Sequence, residues 1–153
     1  MYREFDQAAV RALIGLGEDE GPPDWLILHG IYDMPGAVRR WRDRLANARG
    51  TENAFNLVIG EHAGKTIWYA PVLGAPLAAF AVHCAAILGA KGVLQIGSFG
   101  GTQKGMHPGE LLLVTAAGRG EGASQWYLPP GEMAYPDEEL LERLRAFLKQ
   151  KGL

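Results

Sequence analysis

Apolar positions along the chain recur in two periods, and their alternation sketches a fold. The stretch from about Glu4 to Leu16 reads as a short helix, ended by Gly17 and the acidic turn "EDEGPPD". "WLILHG" is a short apolar run between turn signals and reads as a buried strand. In "PGAVRRWRDRLANARG", Val38, Trp41 and Leu45 recur at helical spacing, so a helix is expected to run on to Gly50, with its arginines on a solvated face. "FNLVIGEHAGKTIWYAPV" predicts two strands joined at His62-Ala63-Gly64. "APLAAFAVHCAAILGAKG" predicts a helix with a stripe of Leu77, Phe80, Cys84 and Leu88, ended by Gly89, with His83 off the stripe. "GVLQIG" and "ELLLVTAAG" read as two further buried strands. "PDEELLERLRAFLKQ" predicts an amphipathic helix with Leu140, Leu141, Leu144 and Leu148 on one side. Strands that alternate with helices and look buried on both faces predict an α/β layered domain with a parallel or mixed sheet.

Composition narrows the function classes. A chain of 153 residues has room for one domain with a genuine core, and a single domain over 1–153 is expected. A net charge of −2 gives no reason to propose nucleic acid or an anionic membrane as partner. No apolar run is long enough for a membrane span, and the N-terminus lacks a signal-peptide core, so the cytoplasm is the expected location. The single cysteine, Cys84, excludes an internal disulfide and a cysteine-based zinc cluster, and it reads as a small buried apolar residue.

Two glycine-rich stretches invite a ligand. "GEHAGKT" looks like a phosphate loop, but it places three residues between its glycines where that motif needs four, and it leads into a β-rich run instead of a helix. "VLQIGSFGGTQ" is more telling. There an apolar strand breaks into Gly97, Ser98, Phe99, Gly100 and Gly101, at the end of a strand where ligands of α/β sheets bind. Missing β-carbons let backbone N–H groups approach a ligand, Ser98 adds a hydroxyl, and Phe99 offers a flat face for a sugar or base.

From Gln95 to Pro130 the chain reads "QIGSFGGTQKGMHPGELLLVTAAGRGEGASQWYLPP". This resembles the nucleoside phosphorylase superfamily, in particular its uridine and purine nucleoside phosphorylase branch, with its strand R-I-G-T/S-x-G-G, then V-G-D-L-V-I-V-T, then R-x-E-G-x-S-x-H-Y-L-P. Arg119, Glu121, Gly122, Ser124, Tyr127, Leu128 and Pro129 fit in order. The resemblance implies a three-layer α/β/α sandwich with a mixed central sheet. It also implies reversible phosphorolysis of a nucleoside to a free base and a pentose 1-phosphate, without metal or organic cofactor. Gly97, Ser98, Phe99 and Gly100 would then bind substrate, with Ser98 and the position of Gln95 on the phosphate. The implied partners are a small-molecule nucleoside or base, phosphate, and further copies of the chain. Trp68, Tyr69, Trp126 and Tyr127 are expected to supply the contacts between copies.

The sequence also departs from the family. The arginine before I-G-T/S is Gln95, the G-D-P-x-R phosphate loop has no clean match in "HGIYDMPGAVRR", and the arginine lent by a neighbouring subunit falls near Asn53. A charge-assisted hydrogen bond contributes roughly 1.5–3 kcal/mol, so losing all three removes on the order of 4–9 kcal/mol, against the ~4 kcal/mol of millimolar binding. Arg39, Arg40, Lys104 and Arg119 are the cations that could substitute. Family members continue through base- and ribose-binding motifs that do not occur here, so the resemblance implies a truncated family fold with no assignable catalytic residue. Two functions stay open: a phosphorylase, or a hydrolase relative that uses water, whose missing half comes from a longer or cleaved chain or from a complementary subunit, weak or inactive as this chain alone, and a non-catalytic ligand-binding or assembly module.

Overall fold

Residues 5–51 and 54–153 are described by a computed structural model of the chain. Glu4, the expected start of the first helix, and Asn53 lie outside the described residues. The chain divides into two units, Met1–Ser98 and Phe99–Leu153.

The first unit is built on a five-stranded sheet. Helix α1 (Gln7–Ile14) is capped by the Asp6 carboxylate, which accepts from Ala9 N at 2.7 Å, and it stops at Gly15 in the left-handed region. Strand β1 (Trp25–Gly30) matches the expected "WLILHG" run. Helix α2 (Met34–Arg44) follows, then the strands β2 (Ala46–Gly50), β3 (Val58–His62) and β4 (Lys65–Pro71), helix α3 (Ala75–Ile87) and strand β5 (Gly92–Gly97). The sheet order is β2-β3-β4-β1-β5, with β1 parallel to β4 and β5, and β3 antiparallel to its neighbours. The sheet is therefore mixed.

Strand alternation divides the core between the two faces of this sheet. On one face Leu26, Leu28, Ile59, Trp68 and Ala70 pack with Val10 and Ile14 of α1 and with Ala81, Cys84 and Ala85 of α3. On the other, Val58, Ile67 and Tyr69 pack with Ala37 of α2, beside the half-buried Trp25, Ile27, Val38 and Trp41. Three layers result. At about 25 cal/mol/Å², burial of one large aromatic side chain is worth roughly 4–6 kcal/mol, which makes β4, with Trp68 and Tyr69 both buried, the anchor of both faces.

Several expectations are corrected. The second helix ends at Arg44, not Gly50: Leu45 is extended, and Ala46–Gly50 is a strand paired with β3. Trp68 and Tyr69 cannot serve contacts between copies, because β4 lies between β3 and β1 and both its faces are covered. Leu77 is 38% exposed, and the buried face of α3 runs through Ala81, Cys84, Ala85 and Leu88. Strand β5 is not buried on both faces: among the described residues it pairs with β1 alone, and Val93 and Gln95 are exposed.

The "GEHAGKT" stretch is the β3–β4 hairpin. Ala63 (φ 49°) and Gly64 (φ 70°) both adopt the left-handed conformation that a two-residue turn of this twist demands.

In the second unit, helix α4 (Glu138–Gln150) forms as expected, with the Asp137 side chain accepting from Leu140 N at 2.8 Å. The apolar stretch 110–118 is not a strand. Among the described residues its only ladder contact is one antiparallel bridge between Ala117 and Ala134, and Leu111, Leu112 and Val114 are more than half exposed. A strand needs a continuous partner for its N–H and C=O groups, and apolar composition does not supply one.

Candidate functional site

Because β1, β4 and β5 run parallel, their carboxyl ends meet at one edge of the sheet, where ligands of such sheets bind. Gly30 of β1 and Gly97 of β5 are register partners there. Nothing crowds Gly97: a β-carbon would come no closer than 3.6 Å to the Gly30 carbonyl oxygen. Ser98 is exposed, and its hydroxyl has no hydrogen-bond partner among the described residues. Gln95, register partner of Leu28, lies exposed on β5.

The residue before Gly30 was not singled out from the sequence. His29 Nδ1 lies 2.8 Å from the Tyr69 hydroxyl, and the Tyr69 ring stacks on Trp41 with centroids 4.6 Å apart. Burial pushes the Tyr69 phenol up to about 12, so it stays protonated. Burial and the nearby Arg40 charge hold the His29 imidazolium below its ordinary range. A protonated phenol beside a neutral imidazole donates to Nδ1, leaving the ring proton on Nε2. The signal that could have found this cluster is the alternation of β1, which puts His29 on the face of Trp25 and Ile27.

The start of α2 carries its own anion. The Asp33 carboxylate accepts from Gly36 N at 3.0 Å, and the bond to that N–H keeps the carboxyl below its usual range. A β-carbon on Gly36 would overlap this carboxylate. Arg40 pairs with Asp33 at 3.4 Å in the open, and Arg39 is exposed on the same helix. The Gly36 N–H, one of the donors that a phosphate would meet at this helix N-terminus, is thus already taken by Asp33.

Within the second unit, Phe99 and Gly100 line a cavity of about 180 Å³ with Gly101, Thr102, Met106 and Leu112. Lys104 is exposed. Arg119 is not available to a ligand. Its Nε donates to Ser124 Oγ at 3.0 Å, one terminal nitrogen to the Pro129 and Glu132 carbonyls, and the other to those of Ser124 and Leu128. Those five bonds match the donor capacity of a guanidinium. Glu121 completes the loop by accepting from the Ser124 hydroxyl and from Ala123 N, and the hydroxyl bond leads in holding its carboxyl low. The R-x-E-G-x-S motif thus builds a loop.

Among the described residues no helix is long and apolar enough to cross a membrane, and no group of three metal-ligating side chains occurs.

The model of the phosphorylase superfamily matches residues 31–153, and the chain belongs to that family. A solved structure of uridine phosphorylase from Vibrio fischeri ES114 is 30% identical, with a TM-score of 0.72 over 83% of this chain and 53% of that one. A second, of the same enzyme complexed with 6-hydroxy-1-naphthoic acid, is 29% identical, with a TM-score of 0.76 over 89% of this chain and 56% of that one. The chain thus spans little more than half the length of either. The three-layer nucleoside-phosphorylase-like α/β fold is shared. No curated protein matches the chain.

Proposed function

We propose that this chain carries part of a nucleoside phosphorylase site, in which a nucleoside and phosphate yield a base and a pentose 1-phosphate, and that it turns over weakly or not at all alone. The observation that carries the reading is the glycine-lined end of β5: Gly97 faces Gly30 without crowding, and Ser98 presents a hydroxyl with no partner among the described residues. Gly97, Ser98, Phe99 and Gly100 are the substrate contacts in this reading, with Ser98 and Gln95 on the phosphate side and Arg39 as the exposed cation nearest in sequence to the family's phosphate loop.

The charge balance supports weak activity. Gln95 brings no charge, Arg119 is saturated by its loop, and Asp33 already fills the start of α2. Stabilising an oxocarbenium-like transition state needs phosphate held beneath the sugar, and neutral donors alone hold a dianion poorly. A non-catalytic ligand-binding or assembly module is the second reading, favoured by that same saturation of Arg119. We propose further that the chain self-associates, using Trp126, which is 81% exposed.

Phosphorolysis of uridine and inosine by the purified chain tests the reading, with phosphate titrated by calorimetry. Activity at or near background and phosphate binding weaker than about 1 mM are expected. Turnover that Ser98→Ala abolishes would establish a competent enzyme. Nucleoside binding without turnover would favour the module.

A further inference from the structure

The first unit holds a cavity of about 250 Å³ between α2 and the residues Thr51, Asn56 and Leu57. Its wall is divided by chemistry. Met34, Val38 and Leu57 make an apolar side, and Arg42, Thr51 and Asn56 make a polar one. Leu57 is 2% exposed, so the apolar side is continuous with the core.

Three observations concern the polar side. The Arg42 guanidinium makes no ion pair or hydrogen bond among the described residues, whereas Arg40 and Arg49 are both paired. Arg42 is exposed, and its guanidinium rests against Gly50, where a β-carbon would overlap it, so bare backbone leaves room for it beside the cavity. The hydroxyl of Thr51, a residue only 9% exposed, is buried with no partner among the described residues. Native structures satisfy nearly all such groups, and exceptions call for a reason. Asn56 (φ 47°) takes the left-handed conformation at this wall, and so does its neighbour Phe55 (φ 69°) on the core side, and such strain gathers at binding sites.

We propose that this cavity binds a small organic carboxylate with an apolar ring or short chain, its head on Arg42 and its body against Met34, Val38 and Leu57. The planar guanidinium fork matches a carboxylate in two parallel hydrogen bonds, and a single cation suits a monoanion better than a phosphate dianion. Size agrees: an apolar cavity of about 150 Å³ holds one benzene ring, so the space here takes a ring bearing a carboxylate. The site is independent of the proposed β5 site and stands whether or not that one binds a nucleoside.

Benzoate titrated into the full chain, followed by amide shifts in NMR, tests the proposal. Saturable shifts are expected at Gly50, Thr51 and Leu57. Arg42→Gln weakens binding about tenfold or more, and the neutral isostere benzamide and inorganic phosphate bind more weakly by a similar factor. Gly50→Ala displaces the guanidinium without removing its charge and weakens benzoate in the same direction. It also reads the proposal should Arg42→Gln fail to fold by circular dichroism. Absence of saturable shifts at those amides, benzamide binding as tightly as benzoate, or affinity unchanged in a folded variant overturns it.

Discussion

His29 and Tyr69 share a 2.8 Å hydrogen bond across neighbouring strands at the edge where β1 and β4 end. Trp41 of α2 stacks on the tyrosine, so one bond and one stack tie helix, central strand and site edge together. A neutral imidazole maintains this arrangement. Protonation would take Nδ1 away as an acceptor and set a cation near Arg40.

Stability is expected to fall as the pH drops below 6.5, the ordinary value for histidine, because the unfolded chain then binds a proton that folded His29 resists. Above that pH the contribution is fully present. Denaturant melts between about pH 5 and 7 check this. In His29→Gln the slope across the window flattens, and an unchanged slope would assign it to other groups.

Arg119→Lys is expected to loosen the loop from 119 to 132, since an ammonium cannot reproduce five bonds in a plane. After allowance for solvent, the loss is on the order of 1–2 kcal/mol. Faster cleavage within the loop in limited proteolysis is the readout.

Gly36→Ala is expected to cost about 1 kcal/mol or more, because the new methyl group takes the space of the capping Asp33 carboxylate. Asp33→Ala removes the same cap, so the double variant costs little beyond either single one. Additive losses in urea unfolding would show that the two residues act separately.

Gln95→Arg is expected to tighten phosphate binding about tenfold by restoring one charge-assisted bond. Calorimetry at fixed ionic strength checks this. No change would mean that the exposed face of β5 does not meet the anion.

Local chemistry made the order of elements readable. The Ala63-Gly64 turn, the Asp137 cap and the leucines of α4 are each contained within a few residues. Elements that depend on distant partners were not. "ANARG" has no strand-favouring side chain, and it is extended because β3 pairs with it. Helix α3 is apolar almost all round, so spacing alone could not choose Ala81 over Leu77 as its buried face. At the site, Gly97 and Ser98 announced themselves by breaking an apolar run. The His29–Tyr69 bond joins residues 40 positions apart and left no local mark. The arginine motif at 119 was readable as a pattern, and only its bonds revealed a loop-building role.

The strand order carries a consequence for how the chain assembles in time. Trp25 pairs with Ile67 on one side and Gly92 on the other, so β1 emerges early in synthesis yet finds neither neighbour until much later. The β3–β4 hairpin closes through its own two-residue turn and forms a ready template, whereas β1 must wait across two long loop closures. During that wait the apolar "WLILHG" run has both edges unpaired, and it is the segment most exposed to capture by other chains or by chaperones. Slow, concentration-sensitive refolding, with the hairpin protected from exchange before β1, is the kinetic signature of this topology.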